Sequence, residues 1–330
     1  MFGKSLIPWR LGVALRFCNR ARTGCAPGPQ RVRLGRTPSA ATATQPVQAL
    51  DYCRKKAAPP GSSLHYALLF ATPVQRDGLL ALHAFHREVT AIPGEVSDPA
   101  VGRAKLDWWR GEIDRVFERQ PEHPVGHALV PVIRQSELPR ERFEDIITGT
   151  ALDLEYGVYP SFRELSAYGH QVGCAMADLA LRQAGYNDPA SARFGHHLGM
   201  ALLLTGRLRH LGRHARAGRF YLPEDEIHAA GLSREGLLRL PADHPGLQHL
   251  LQQQVDRARD FFRQADTALA DRDRYAQRPA LIMAALYRQL LVELERQGLP
   301  MLHRRVHLTP LRKLWLAWRT ARRERRHQNQ

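Results

Sequence analysis

The chain has 330 residues, of which 44% are hydrophobic and 24% charged, a composition typical of a globular domain with a large core. Four cysteines with no Cys-x-x-Cys pair exclude a disulfide scaffold, and no run reaches the ~18–20 apolar residues of a membrane span. The net charge of +16 is confined to the two ends, since residues 51–300 carry equal numbers of basic and acidic side chains. Nucleic-acid binding, which uses a basic stripe on a folded face, is therefore not expected.

The first 45 residues form a basic leader that we exclude from the fold. Residues 1–50 contain eight Lys or Arg and no Asp or Glu. This composition is similar to that of a mitochondrial transit peptide, and a disordered basic extension of a bacterial protein is the alternative. The first interpretation places the protein in the mitochondrial matrix. The second places it in a bacterial cytoplasm, where it could associate with the membrane.

From about residue 46 the apolar residues recur at helical spacing. Over residues 74–89, Leu79, Leu82, Phe85 and Val89 share one predicted helix face. Further helices are predicted over 98–119, 139–156, 161–185, 190–211, 245–272 and 277–297, separated by Pro, Gly or Asp/Asn signals. No period-two alternation is sustained, so a sheet is not expected. About nine or ten helices should form one all-α domain over residues 46–308.

The helix over 98–119 has the clearest start and the widest apolar stripe. Asp98 is expected to cap it, with Pro99 in its first turn. The stripe consists of Val101, Ala104, Trp108, Trp109, Ile113, Val116 and Phe117. We expect this stripe to face the core.

The last segment, residues 309–330, is predicted to be a basic amphipathic helix. Leu311, Leu314, Trp315 and Trp318 form one apolar face. The basic remainder consists of Arg312, Lys313, Arg319, Arg322 and Arg323. Such a helix suits an anionic membrane surface. The alternative is that its apolar face packs on the bundle.

Several motifs occur in an order that resembles the squalene/phytoene synthase family. The amino-terminal ones are Gly61–Tyr66 (GSSLHY), His83–Val89 (HAFHREV) and Lys105–Arg110 (KLDWWR). The later ones are Ala201–Arg209 (ALLLTGRLR), Ala215–Pro223 (ARAGRFYLP) and Leu308–Trp315 (LTPLRKLW). The resemblance extends from about Asp51 to Arg319. The ending of the chain is most similar to bacterial family members of the presqualene-diphosphate or phytoene synthase type. The chain is also similar to the family's mitochondrial complex I assembly factor.

The resemblance implies an all-α isoprenoid synthase fold with a central cavity. Members of the family condense two prenyl diphosphates head to head. Two Asp-rich motifs on facing helices hold Mg²⁺, whose hard oxygen ligands and positive charge suit a diphosphate leaving group. No other cofactor is implied.

This sequence departs from the family at both motifs. After Glu88, where an Asp-Asp-x-x-Asp pattern is usual, it carries Thr90 and Gly94, and Pro93 should end or kink the helix there. At the second motif, Gly206, His210 and His214 replace the usual Asn and two Asp. The nearby acids that remain are Glu88, Glu95 and Asp153. Because they are scattered, we predict no metal site, and Mg²⁺ only if the chain is an active synthase.

Side chains that the family uses on the substrate side are retained. They are Ser62, Tyr66, Arg87, Lys105, Arg110, Asp153, Tyr168, Arg216, Arg219 and Tyr221. Together they would line a positively charged cavity that holds a phosphate or diphosphate through arginine without metal. The alternative is that they only pack and form ion pairs inside the bundle.

Other candidate groups receive simpler interpretations. His210 and His214 share a helical face, but no third metal ligand is evident. Met200 and Leu202–Leu204 are expected in the core, and Cys53 and Cys174 are expected to be buried apolar residues.

These observations leave three classes of function. We predict a catalytically degenerate family member that binds a prenyl diphosphate or other lipid, or that acts as an assembly-type partner. The alternatives are a divergent head-to-head prenyltransferase and a purely structural interaction module.

Overall fold

The computed structural model describes residues 40–328, with side chains from residue 47 onward. Most of the leader predicted over residues 1–45 lies outside that range. The first helix begins at Ala40, inside the segment assigned to the leader. α1 therefore overlaps the predicted leader over residues 40–45.

The all-α fold class is confirmed for the part of the chain that is described. Its helices are α1 Ala40–Ala57, α2 Ser63–Leu68, α3 Pro73–Glu95, α4 Pro99–Phe117, α5 Pro124–Ser136, α6 Arg140–Glu155, α7 Phe162–Gly169, α8 Ala175–Ala184, α9 Ser191–Arg209, α10 Leu211–Arg216, α11 Glu224–Ala229, α12 Pro245–Ala268, α13 Arg278–Arg296 and α14 Pro310–Gln328. A π turn, His170–Cys174, joins α7 to α8, and 3₁₀ turns span Leu237–Arg239 and Asp271–Asp273. The short strands are β1 Val158–Tyr159 and β2 Phe220–Pro223.

Helix starts follow the capping chemistry of the sequence. Thr72 and Gln75 form a capping box at the start of α3, each side chain accepting from the other residue's backbone N–H at 3.3 Å. Asp98 caps α4 as predicted, since its carboxylate accepts from the N–H of Ala100 at 2.8 Å. Pro99 then occupies the first turn, where a missing N–H costs nothing.

The buried face of α4 matches its predicted stripe only in part. Trp109, Ile113 and Val116 are buried as expected, but Val101 is 48% and Trp108 42% exposed. A stripe this wide covers more of the helix than one core surface can contact, so its edge residues stay in solvent. On α3, by contrast, all four predicted core residues are buried.

Two strands form a small parallel pairing that the sequence analysis did not predict. Val158 pairs with Phe220, and Tyr159 pairs with Pro223. A two-residue strand is too short to show alternation, which explains why the pattern missed it. The pairing joins the end of α6 to the segment after α10 and fixes the position of Tyr159 beside Tyr221.

Apolar packing holds the bundle together. One large cluster includes Phe194 and Phe262, from α9 and α12, and a second surrounds Phe85 and Phe143, whose rings lie 5.2 Å apart. Burying side chains of this size is worth about 1.5–3 kcal/mol each before entropy is counted. The core prediction is confirmed for Met200, Leu204, Cys53 and Cys174, all buried, whereas Leu202 and Leu203 are partly buried against the first cluster.

Proline does not end α3 where expected. The helix passes through Pro93 and ends at Glu95. Pro93 lies in the last turn, so its ring removes only one backbone hydrogen bond close to an end that would fray anyway. The prediction that Pro93 separates positions 90 and 94 was wrong.

The carboxy-terminal helix packs by a different face from the predicted one. Leu316 and Ala317 of α14 join Leu286 and Leu308 in a third apolar cluster. Lys313, predicted to belong to the solvent-facing basic set, is buried and donates from Nζ to the carbonyl of Gly61 at 2.7 Å. The predicted apolar face is left outside, with Leu311, Leu314, Trp315 and Trp318 between 43% and 81% exposed.

Buried ionic contacts secure the far end of α14. Glu324 is fully buried and accepts from both Arg274, at 2.8 and 3.1 Å, and Arg323, at 2.8 Å. Among residues 40–328, no helix is both long and apolar enough to cross a bilayer.

Candidate functional site

The segments of the two family motifs, on α3 and around His210–His214, both lie near Arg219. On α3, the hydroxyl of Thr90 donates to the carbonyl of His86 at 2.7 Å within the helix. A Cβ added at Gly94 would lie 3.8 Å from the Arg219 guanidinium, on the segment that follows α10. The first motif therefore borders an arginine rather than a pair of carboxylates.

The second motif lies at a break in the helix. α9 ends at Arg209, His210 has φ −109° and ψ 12°, and α10 begins at Leu211. The rings of His210 and His214 lie 5.9 Å apart, and His214 Nε2 is 3.2 Å from the guanidinium of Arg213. Among the described residues, the groups spaced to hold a metal do not include this pair.

A cluster that we term the tyrosine–arginine cluster forms the centre of the site. Its members are Asp153, Tyr159, Tyr168, Arg207 and Tyr221. The Arg207 guanidinium lies 4.1 Å from the Tyr221 ring centroid and 5.3 Å from that of Tyr168, and it donates to the Tyr168 hydroxyl. This is cation–π geometry with a hydrogen bond added.

The Asp153 carboxylate is hydrogen-bonded to two tyrosines of this cluster. Tyr159 donates to one Asp153 oxygen at 3.1 Å, and Tyr221 donates to the other at 2.6 Å. The carboxylate is buried, and so are all three tyrosines. Asp153 is thus held by two hydroxyls inside the protein and orders the aromatic rings around Arg207.

Electrostatic interactions keep the Arg207 side chain charged. Burial alone would lower the pKa of Arg207, but Tyr168, Tyr221 and Asp153 raise it overall, so it stays charged. Burial and then the neighbouring arginines lower the pKa of His210 and of His214 to about 3. Burial, His83 and Arg207 lower that of His86 to about 3 as well. These histidines are neutral near pH 7.

The space beside Gly206 is open, since a Cβ added there would meet no heavy atom within 4 Å. Arg207, His86, His210 and His214 each retain partial exposure. Burial is nonetheless the main cause that lowers the pKa of the three histidines. These four side chains are therefore largely buried but still accessible to solvent.

The predicted substrate-side residues are only partly brought together. Asp153, Tyr168, Arg219 and Tyr221 lie at the site. Arg87 and Arg216 are exposed and donate to the backbone carbonyls of Lys56 and Leu302. The others lie on α2 or on the surface of α4: Ser62 caps α2, Tyr66 packs near Lys313, Lys105 is exposed, and Arg110 pairs with Asp107.

Two central residues, Tyr159 and Arg207, were missed. Arg207 directly follows Gly206, a position at which the sequence differs from the family's second motif. A basic residue next to such a position could have pointed to Arg207. Tyr159 gave none, because the β1–β2 pairing that places it was not predicted.

The surviving acids do not fit a magnesium clamp. Glu88 accepts from the Tyr52 hydroxyl at 2.5 Å and pairs with Lys56 at 2.9 Å. Both oxygens of Asp153 are held by tyrosines. Mg²⁺ needs several free, convergent oxygens at about 2.0–2.1 Å. The oxygens of Glu88 and Asp153 are therefore already engaged by protein partners.

Substituting alanine for two glycines of the second motif segment should have opposite effects on stability. A Cβ at Gly212 would lie 2.1 Å from the backbone carbonyl of Leu302, and backbone cannot move aside cheaply. We expect Gly212→Ala to destabilise the fold by roughly 3 kcal/mol. Gly206→Ala, in an open helical position, should stabilise it by about 1 kcal/mol through helix propensity.

Urea unfolding of the two variants measures both effects. Equal destabilisation by Gly206→Ala and Gly212→Ala would contradict the open space at Gly206.

The helical bundle defines the class of protein. It superimposes on a dehydrosqualene synthase solved in complex with a ligand, with TM-score 0.74 and 18% identity over 86% of this chain and 99% of that one. It also matches squalene synthase HpnC from Alicyclobacillus acidocaldarius, with TM-score 0.67 and 22% identity over 77% of this chain and 96% of that one. At these identities the likeness shows the fold, which is that of the isoprenoid synthases.

The chain belongs to the squalene/phytoene synthase family, whose sequence model matches residues 57–312. It is similar to 15-cis-phytoene synthase of Synechococcus elongatus, with 27% identity over 81% of this chain and 90% of that one. It is also similar to the chloroplastic phytoene synthase 3 of Zea mays, with 28% identity over 80% of this chain. The match spans 62% of the maize protein.

Proposed function

We propose that this family member binds the diphosphate or phosphate group of a prenyl diphosphate or another lipid without a metal ion, and does not ionise it. The observation that carries the proposal is Arg207, a charged guanidinium on α9 within the second motif segment, held by Tyr168 and Tyr221. A fixed cation here supplies the charge that Mg²⁺ provides in the family. It cannot adopt the multiple coordination that assists departure of a diphosphate.

Further positive groups support anion binding. Arg219 lies beside Gly94, and Arg213 lies beside His214. Arginine presents several N–H donors in a fork that matches phosphate oxygens. Neutral His210 and His214 can donate from ring nitrogens, and an anion would favour their protonated forms.

Titration with inorganic pyrophosphate in EDTA tests this proposal. We expect saturable binding to the wild-type protein, and loss of roughly tenfold or more in affinity for Arg219→Gln, because hydrogen bonds to charged groups contribute about 1.5–3 kcal/mol. Arg207→Met should lose binding altogether. Arg110→Gln, which removes an exposed arginine on α4, is the matched control and should bind normally.

The opposite pattern would refute the proposal. If the wild-type protein binds pyrophosphate only when Mg²⁺ is present, the divergent head-to-head prenyltransferase is the better account, as the names of the relatives suggest. If it binds under neither condition, an assembly-type or purely structural role is favoured.

The outer face of α14 supports a second element of the proposal, contact with an anionic membrane surface. Trp315 and Trp318 are about half exposed, and the Arg319 and Arg322 guanidiniums lie 4.8 and 5.2 Å from their ring centroids. Aromatic rings flanked by arginine side chains are typical of protein surfaces that bind between the head groups and acyl chains of a membrane. The charge of this face selects an anionic partner.

Vesicle sedimentation tests the role of this face. The protein should pellet with phosphatidylglycerol vesicles and not with phosphatidylcholine vesicles, and high salt should release it. Trp315→Ala combined with Trp318→Ala should weaken the binding severalfold because apolar burial is lost. Trp108→Ala, which removes a similarly exposed tryptophan from α4, should have no effect. Equal binding to both lipids, or to neither, would contradict the proposal.

A further inference from the structure

A π turn interrupts the helix on the surface next to α9. Residues His170–Cys174 form this turn between α7 and α8. Single π turns inside helices are uncommon and occur frequently at functional sites. His170 and Cys174, four residues apart, lie at its two ends, so their side chains can converge.

Two glycines bring α9 against the turn. A Cβ at Gly199 would lie 2.6 Å from the carbonyl oxygen of Gly173 and 2.7 Å from the Cα of Cys174. Only glycine permits this approach of the two backbones. As a result, the Cys174 thiol reaches α9 and donates to the carbonyl of His196 at 3.2 Å.

The close approach of the π turn and α9 brings three potential metal ligands together. The ligand atoms of His170, Cys174 and His196 all lie within 4.8 Å of one another, and the two imidazole rings are 5.2 Å apart. Cys174 is buried and His170 is exposed, so solvent can approach from one side. The degenerate motifs contribute none of these residues.

We propose that His170, Cys174 and His196 bind a divalent transition-metal ion of the zinc type, with water as the fourth ligand. Two imidazoles and one thiolate are borderline-soft donors that favour Zn²⁺ over Mg²⁺ or Ca²⁺. On binding, the Cys174 thiol releases its proton to solvent and the sulfur joins the metal. Bonds of about 2.0–2.3 Å place tetrahedral donors about 3.5 Å apart, so the three atoms must close by roughly 1 Å.

Rotation of side chains can supply that closure, because His170 lies at the surface. The bound ion would tie the π turn to α9. His170 follows Tyr168 by two residues, and His196 is on the helix that carries Arg207. The ion would therefore brace the two elements that hold the tyrosine–arginine cluster, without entering the anion site.

Titration of the untagged full chain with Co²⁺ and then Zn²⁺ tests the site. Cys18→Ser and Cys25→Ser are included as background changes so that those thiols do not contribute. We expect one equivalent of Co²⁺ to give the d–d and thiolate charge-transfer absorption of a tetrahedral site, and Zn²⁺ to displace it. Cys174→Ser should abolish the charge-transfer band, and His170→Ala should weaken binding by at least about 100-fold.

Matched controls separate this site from others. Cys53→Ala removes the other buried cysteine of the described range, and His197→Gln changes the neighbouring histidine; both should leave the absorption unchanged. His170→Ala acts at an exposed residue, so it reports on the site even if Cys174→Ser does not fold. The proposal is overturned if no tetrahedral spectrum forms, or if it forms unchanged in His170→Ala. Pyrophosphate binding in EDTA is independent of this outcome.

Discussion

Acidification from pH 6.5 to pH 5 should lower the protein's stability, at a pH where most carboxylates are still ionised. Burial lowers the pKa of His83 to about 4 and that of His86, His210 and His214 to about 3. In the unfolded chain these groups titrate near 6.5. Between these values the unfolded state binds more protons, so the free energy of unfolding falls as the pH falls.

The magnitude makes this effect measurable. Each histidine contributes up to about 1.4 kcal/mol per pH unit. Because a typical domain stability is only about 5–15 kcal/mol, the decline should be visible within one pH unit. The stabilisation is fully present above pH 6.5 and declines steadily below it.

Urea unfolding at half-unit pH intervals measures the slope. His214→Gln should reduce the slope between pH 6.5 and 5 by about one proton, whereas His303→Gln, at an exposed position, should not change it. A stability that is flat over this interval would contradict the neutral state of the four histidines.

Restoring carboxylates at the lost positions should create a magnesium-dependent diphosphate site. The variant combines Thr90→Asp, Gly94→Asp, His210→Asp and His214→Asp. Because α3 continues through Pro93 to Glu95, positions 90 and 94 already lie on one helical face, and no change at Pro93 is needed. Pyrophosphate at 100 times its dissociation constant would stabilise the variant by about 2.7 kcal/mol.

The readout is a rise in melting temperature of roughly 5–10 °C that requires Mg²⁺ and pyrophosphate together. The set with asparagine at the same four positions is the control, since it matches the shape without the charge. It should show no metal-dependent rise. A rise in the asparagine set would show that the carboxylate charge is not required, and no rise in the aspartate set would mean that the motifs do not face the same space.

Long amphipathic helices could be predicted because their own sequence encodes them. α4 and α3 have caps, a first-turn proline and a repeating apolar face. Both ends of α4 and the start of α3 were located to within two residues, but α3 continues to Glu95, six residues beyond its predicted end at 89. α2 is a single short helix, and α5 begins at Pro124 and contains Pro131, so local signals did not reveal them. For α14 the sequence predicted the helix but not the face that packs. That face depends on the apolar side chains that α2 and α13 present to it.

The positions at which the sequence differs from the family motifs could be predicted, but the tyrosine–arginine cluster could not. Positions 90, 94, 206, 210 and 214 could be recognised from motif spacing. Arg207 could not be assigned, because the Tyr168 hydroxyl and the Tyr221 ring that hold it come from distant parts of the chain. The cluster of His170, Cys174 and His196 depends on the close approach of two glycines, which spacing alone does not encode.

The central proposal is that this chain does not carry out metal-dependent prenyl transfer, and a turnover assay tests it most directly. Purified protein is incubated with farnesyl or geranylgeranyl diphosphate and Mg²⁺, and released diphosphate and hydrocarbon products are quantified. We expect no metal-dependent release above the background of the Arg207→Met variant. Metal-dependent release at an ordinary enzyme rate, about 1 s⁻¹ or faster, would contradict the claim and identify the protein as an active synthase.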